Sequence, residues 1–195
     1  MLTANSGLIA GQSSEKTILV VGDSLSAAYG INRSDGWVPL LSAKIAQKKF
    51  TYQVINSSIS GDTTINGLNR LKPLLDKYNP HITIIALGAN DGLRGLSLAT
   101  MKQNLLQMIE LSQAIQSDIL LVGIKLPPSY GKRYTEAFHD VYLKIANDKK
   151  LKIVPFILEG VGGVAELMQR DGLHPTKEAQ PIIMNTVWQK LEPML

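Results

Sequence analysis

A chain of 195 residues, 45% hydrophobic and 18% charged, has the composition of one ordinary globular domain and leaves little room for a second. The net charge of +4 is mild. The lysines fall in small groups, such as Lys44, Lys48, Lys49 and Lys149, Lys150, Lys152, with no interleaved aromatics, so they read as solvated faces and no nucleic-acid partner is expected. There is no cysteine, which excludes thiol nucleophiles, disulfides and thiolate metal sites. No apolar run approaches the roughly 20 residues of a transmembrane segment.

Residues 1–16 are polar and rich in small residues, with no basic leader and only a brief apolar piece at 7–10. They do not make an intact signal peptide, and they read as a tail, either the remnant of a processed export sequence or residues added at the start. The domain is expected over 17–195. Residues 17–21 form an apolar run that reads as a short buried strand ended by Gly22, and Leu25, Ser26, Ala27 and Ala28 can open a helix. Trp37, Leu40, Leu41, Ile45 and Ala46 stand at helical spacing over 37–50, behind the start signals Ser34, Asp35 and Gly36. Residues 52–55 alternate as a second strand. A loop at 59–64 leads into a helix whose face is Ile65, Leu68, Leu71, Leu74, Leu75 and Tyr78, stopped by Asn79-Pro80.

The stretch 81–87 (HITIIAL) is the clearest strand, and it opens into a Gly-rich loop at 88–95. A helix over 100–115 turns Met101, Leu105, Met108, Ile109 and Ile115 inward. A fourth strand follows at 119–124, then an irregular stretch at 127–131 and a helix carrying Tyr134, Phe138, Val141, Tyr142 and Ile145. A short fifth strand covers 152–155. Residues 159–168 read as a short, partly irregular helix, 171–175 as a turn, and 176–191 as a final helix with Ala179, Ile182, Ile183, Val187 and Leu191 on one stripe. This alternation predicts a three-layer α/β/α domain on a five-stranded, mostly parallel sheet.

In such a sheet the loops after the strand C-termini share one edge, where ligand sites are built. Acyl transfer needs a nucleophile, a base, a group to orient the base, and donors for the oxyanion. Ser24, at the tip of the first strand, is the candidate nucleophile, and His174 is the candidate base. Asp171, three residues earlier, can set its carboxylate against the far ring nitrogen. Asn90 offers a side-chain amide, and Gly61 a backbone N–H with no side chain to block a substrate. Each has a plainer reading: Asp23, Ser24 or Ser26 as a helix cap, Asp171 and His174 as a turn before Pro175, the Asn90 and Gly61 stretches as simple turns. His81 falls at the opposite end of its strand and His139 in mid-helix. No His-Glu-x-x-His, Walker A, strand-borne Gly-x-Gly-x-x-Gly or Gly-x-Ser-x-Gly sequence is present.

Taken together, Gly-Asp-Ser-Leu-Ser at 22–26, Gly61 in Ser-Ile-Ser-Gly-Asp, Asn90 in Gly-Ala-Asn-Asp, and His174 in Asp-Gly-Leu-His-Pro resemble the four ordered marker blocks of the SGNH (GDSL-type) serine hydrolase superfamily. The stretches 58–63, 88–95, 126–134 and 171–175 resemble most closely its bacterial multifunctional thioesterase I / arylesterase / lysophospholipase group. The resemblance implies a flavodoxin-like SGNH fold and a Ser24–His174–Asp171 triad. It implies an oxyanion hole from the Ser24 and Gly61 N–H groups and the Asn90 side chain, a mobile segment over 90–96, and acyl contacts from Leu93, Ile124 and Leu126. No metal or cofactor is implied.

The implied activity is hydrolysis of carboxylic esters, including aryl esters and lysophospholipids, and of acyl-CoA thioesters, through an acyl-enzyme. A carbohydrate O-acetylesterase on the same fold, and a non-catalytic binding module, are the alternatives. The partner is then a small acyl ester or thioester, with lipid contact peripheral at most, and the enzyme is expected to be a monomer in the periplasm or secreted. Ala89 departs from the pattern, since relatives often carry glycine there, and it adds a methyl beside the oxyanion donor.

Overall fold

A computed structural model of the chain describes residues 15–195. The expected tail therefore lies almost wholly outside the described residues. β1 (Lys16–Gly22) contains four successive fully buried residues, Ile18, Leu19, Val20 and Val21. A strand that is apolar on both faces must be covered on both, and the middle of a parallel sheet provides that. β1 accordingly lies between β2 (Tyr52–Asn56) and β3 (Ile82–Ala86). β4 (Asp118–Val122) and β5 (Lys152–Val154) continue beyond β3, giving the order β2-β1-β3-β4-β5 with every pairing parallel.

The described residues form six α-helices around the sheet. α1 (Trp37–Gln47) packs against α6 (Gln180–Leu191), whose buried Gln180 side chain accepts the Trp37 N–H at 3.0 Å. α2 (Thr64–Tyr78), α4 (Leu98–Gln113) and α5 (Lys132–Lys149) pack in series, α4 touching both of the others. α3 (Ala89–Leu93) is a short helix just beyond β3. No helix among the described residues is long and apolar enough to cross a membrane.

The chain leaves β1 toward β2 and then returns past β1 to β3, so the direction of winding reverses between β1 and β3. Open α/β sheets bind ligands in the crevice at such a point. Here Gly22 pairs with Ala86, which brings the segments after β1 and β3 out of the sheet at the same level.

Four local expectations are corrected. Residues 24–30 form a run of turns and not a helix, because Ala28 (φ 59°) and Gly30 (φ 75°) both take the left-handed conformation. The loop expected at 88–95 contains α3. Over 159–168 there is only a 3₁₀ turn, Ala165–Leu167, since Gly160 and Gly163 break any longer helix. The last helix starts at Gln180, four residues later than expected, with Pro181 in its first turn where no N–H is needed.

Candidate active site

The site starts from the turn after β1. The Asp23 carbonyl accepts the N–H groups of Ser26 (3.2 Å) and Ala27 (2.9 Å), and the Asp23 carboxylate accepts the Leu25 N–H at 3.0 Å. These bonds close the chain into a tight turn with Ser24 at its outer corner. Asp23 itself is buried, and burial is the main force that pushes its carboxyl up to about 7. The Leu25 N–H works in the opposite sense, while the charges of Asp62 and Asp91 add to the rise.

The second piece is the turn before α6. One oxygen of Asp171 accepts the backbone N–H groups of Leu173 (2.9 Å) and His174 (3.0 Å), folding the turn around the carboxylate. The other oxygen lies 2.6 Å from His174 Nδ1. Burial alone would raise the Asp171 carboxyl, but these bonds from His174 and Leu173 outweigh it and bring it down to about 2. With Nδ1 donating to a charged carboxylate, Nε2 is left as the acceptor. It lies 2.9 Å from Ser24 Oγ. The structure thus brings Ser24, His174 and Asp171 into one hydrogen-bonded line.

The loops after β2 and β3 supply the remaining pieces. Gly61 has φ 85°, and its carbonyl accepts Arg94 Nη2 at 3.0 Å. Asn90 Nδ2 donates to the Asp62 carbonyl at 3.0 Å. Next to it, buried Asp91 accepts both the Thr64 N–H (2.8 Å) and the Thr64 hydroxyl (2.5 Å) at the start of α2, and Asn104 donates to that hydroxyl. The two loops are therefore pinned together. Among the described residues neither the Ser24 nor the Gly61 backbone N–H has an acceptor. Gly88 lets the chain turn from β3 into α3 at φ 118°. A side chain there would meet the Tyr142 hydroxyl, which donates to the Leu87 carbonyl at 2.9 Å.

The other expected residues are placed as follows. Ile124 is buried and lines a small, largely apolar cavity with Leu25, Ala86, Ala89 and Ile157. Leu126 is buried beneath Gly92. Leu93 is half-buried, and its carbonyl accepts the Tyr130 hydroxyl at 3.1 Å. His81 accepts the Thr17 N–H at the far edge of the sheet (3.4 Å), and His139 Nδ1 donates to the Ile124 carbonyl at 3.2 Å. Neither approaches Ser24.

Three contributors escape sequence reasoning. Arg70 reaches from α2 to the Asp62 carboxylate at 2.7 Å, and also bonds the Ser57 and Gly22 carbonyls. The Tyr29 ring packs against the His174 ring at 4.5 Å, and Gln169 bonds the Tyr29 carbonyl. The Arg70–Gly22, Tyr29–His174 and Gln169–Tyr29 contacts join residues far apart in sequence, and no local motif announces them.

A serine hydroxyl, an imidazole and a carboxylate aligned at the C-terminal edge of a doubly wound parallel sheet define a serine hydrolase arrangement. The model of the GDSL-like lipase/acylhydrolase family matches residues 20–181, and the chain belongs to that family. Esterase TesA of Pseudomonas aeruginosa is 50% identical over 188 residues, covering 96% of this chain and 94% of the relative. Thioesterase 1/protease 1/lysophospholipase L1 of Escherichia coli K12 is 41% identical over 179 residues, 92% of this chain and 85% of the relative. The crystal structure of esterase EstA from Pseudoalteromonas sp., inhibited by monoethylphosphonate, matches with a TM-score of 0.87 and 40% identity, covering 92% of this chain and 98% of that one.

Proposed function

We propose that the chain hydrolyses carboxylic esters of apolar acyl groups, among them aryl esters and lysophospholipids, and acyl thioesters, with Ser24 as nucleophile. The observation that carries this reading is the His174 imidazole, which bridges Ser24 Oγ at 2.9 Å and Asp171 at 2.6 Å. Ser24 Oγ attacks the acyl carbon while Nε2 takes its proton, and Asp171 steadies the imidazolium that forms. The tetrahedral oxyanion accepts hydrogen bonds from the Ser24 and Gly61 N–H groups and the Asn90 amide. His174 then protonates the departing alcohol or thiol. A water molecule, deprotonated by His174, attacks the acyl-enzyme; the acid leaves and Ser24 regains its proton.

The apolar side chains exposed on the loops of this edge, Tyr29, Ile59, Leu96 and Tyr130, favour a fatty acyl group over an acetylated sugar. They also support a peripheral encounter with lipid. Leu93, Ile124 and Leu126 take part in acyl binding, and the 90–96 segment adjusts to the substrate. Every group invoked belongs to one chain, which supports a monomeric enzyme. A periplasmic or secreted location belongs to the same proposal; fractionation of host cells tests it.

The deciding experiment is hydrolysis of p-nitrophenyl esters from short to long acyl chains by wild type and Ser24→Ala. Turnover abolished in the variant, with the wild type favouring chains longer than acetyl, is the expected result. Persistent turnover in Ser24→Ala removes the nucleophile assignment, and strict acetyl preference removes the acyl-chain assignment.

A further inference from the structure

The turn that carries Ser24 and the turn that carries His174 belong to different parts of the chain, 150 residues apart. Asp171 orients the imidazole relative to its own turn. Nothing in that turn fixes how far Nε2 stands from Ser24 Oγ. Catalysis depends on that separation, since a displacement of about 1 Å can cost on the order of a hundredfold in rate.

Gln169 closes this gap. Its backbone belongs to the His174 turn: its N–H donates to the His174 carbonyl at 2.7 Å, and its carbonyl accepts the Gly172 N–H at 2.9 Å. Its side-chain nitrogen donates twice, to the Pro175 carbonyl at 3.0 Å and to the Tyr29 carbonyl at 2.8 Å. Tyr29 in turn donates its N–H to the Ser24 carbonyl at 3.2 Å and lays its ring against His174. Apart from the Ser24–His174 contact itself, the Gln169–Tyr29 bond is the one hydrogen bond among the described residues that joins turn 24–30 to turn 169–175.

The seat for this amide is shaped for it. Gly30 has φ 75°, and a β-carbon built there would fall 2.2 Å from Gln169 Oε1. The amide oxygen thus occupies the space that any other residue at 30 would fill, while both amide N–H groups are consumed by carbonyls. Only a neutral amide satisfies this seat, because a carboxylate would face two carbonyl oxygens with no proton to give.

We propose that Gln169 is the positioning residue that sets the Ser24–His174 distance, acting through Tyr29. This rests on the assignment of Ser24 and His174 made above. The test is steady-state kinetics of Gln169→Ala and Gln169→Glu on a p-nitrophenyl ester, with reactive sites counted by a chromogenic phosphonate. Ser24→Ala is measured alongside, and melting temperatures are recorded. We expect kcat per reactive site to fall 10- to 100-fold in both variants, with KM within about twofold of wild type. The acid limb of the kcat/KM profile should stay in place, because the Asp171–His174 pair is untouched.

A merely structural role would lower the number of reactive sites and the melting temperature while leaving kcat per site intact, and that result overturns the proposal. So does wild-type turnover in Gln169→Glu, whichever way Gln169→Ala folds. If Ser24→Ala remains active, the nucleophile assignment has failed and takes this inference with it. If Ser24→Ala is inert while the Gln169 variants keep wild-type kcat, only the role of Gln169 is lost.

Discussion

Asn90 donates one of its two amide N–H groups to the Asp62 carbonyl at 3.0 Å, so the loop after β3 holds on to the loop after β2 through the very side chain proposed to face the oxyanion. Spending one proton on a fixed acceptor orients the amide plane and leaves the second donor for substrate. Such preorganised donors stabilise charge that exists only in the transition state. Asn90→Ala is therefore expected to lower kcat by about 10²–10³ with little change in KM. Active-site titration beside kcat separates this from loss of folded protein, and a variant with full turnover per site would contradict the role.

Asp23 gives a stability signature with a defined sign. Its carboxyl is raised from 3.8 to about 7 by burial, so the folded chain binds this proton more tightly than the unfolded chain does. The contribution is fully present below 3.8 and is lost as pH rises through about 7. A displacement of that size corresponds to on the order of 4 kcal/mol. Asp23→Asn keeps an acceptor for the Leu25 N–H without the charge, so its stability relative to wild type should improve from pH 4 to about pH 7 and level off above that. Urea unfolding at several pH values checks this, and a flat difference would refute it.

The two carboxylates beside the nucleophile thus behave oppositely. Asp171 is brought down to about 2, and any stability it lends is present above 3.8 and lost only as pH falls toward 2. Loss of turnover on mild acidification, from pH 7 to pH 5, is then not caused by protonating Asp171. Asp171→Asn should depress kcat by up to about 10⁴, by favouring the wrong imidazole tautomer. A pH–rate profile of wild type and variant tests both statements.

The sequence marks most of this site because its parts sit where chain direction changes, and such places carry short signatures. Gly22 after an apolar strand, Gly88 after another, and Asp171 three residues before His174 are all legible as local geometry. The interior place of β1 in the sheet agrees with its pattern: it is apolar at every position from Ile18 to Val21, as a strand covered on both faces must be. What local patterning misses is set by partners far away. Ala28 adopts φ 59° and spoils a helix that propensity favours. Gln169 finds its acceptor 140 residues back, and Arg70 collects the ends of β1 and β2, pairings that leave no periodic trace.

Arg70 carries the last expectation. Its guanidinium is mostly buried, pairs with the Asp62 carboxylate at 2.7 Å, and bonds the Ser57 and Gly22 carbonyls, so it gathers the segment before Ser24 and the segment bearing Gly61. Removing it strands a mostly buried carboxylate and the Ser57 carbonyl, while the Gly22 carbonyl keeps the Ile59 N–H, a loss of about 2–4 kcal/mol. Arg70→Met keeps much of the side-chain volume but none of the donors. It should lower the urea midpoint by a corresponding amount, and also reduce kcat in the protein that stays folded, because the Gly61 N–H would lose its fixed distance from Ser24. Arg70→Lys retains the charge without the forked geometry and should recover only part of either loss. If Arg70→Met unfolds at the wild-type urea midpoint and turns over normally, the guanidinium is a bystander, and the backbone bonds from the Ser57 N–H to the Val20 carbonyl and from the Ile59 N–H to the Gly22 carbonyl suffice to join the two segments.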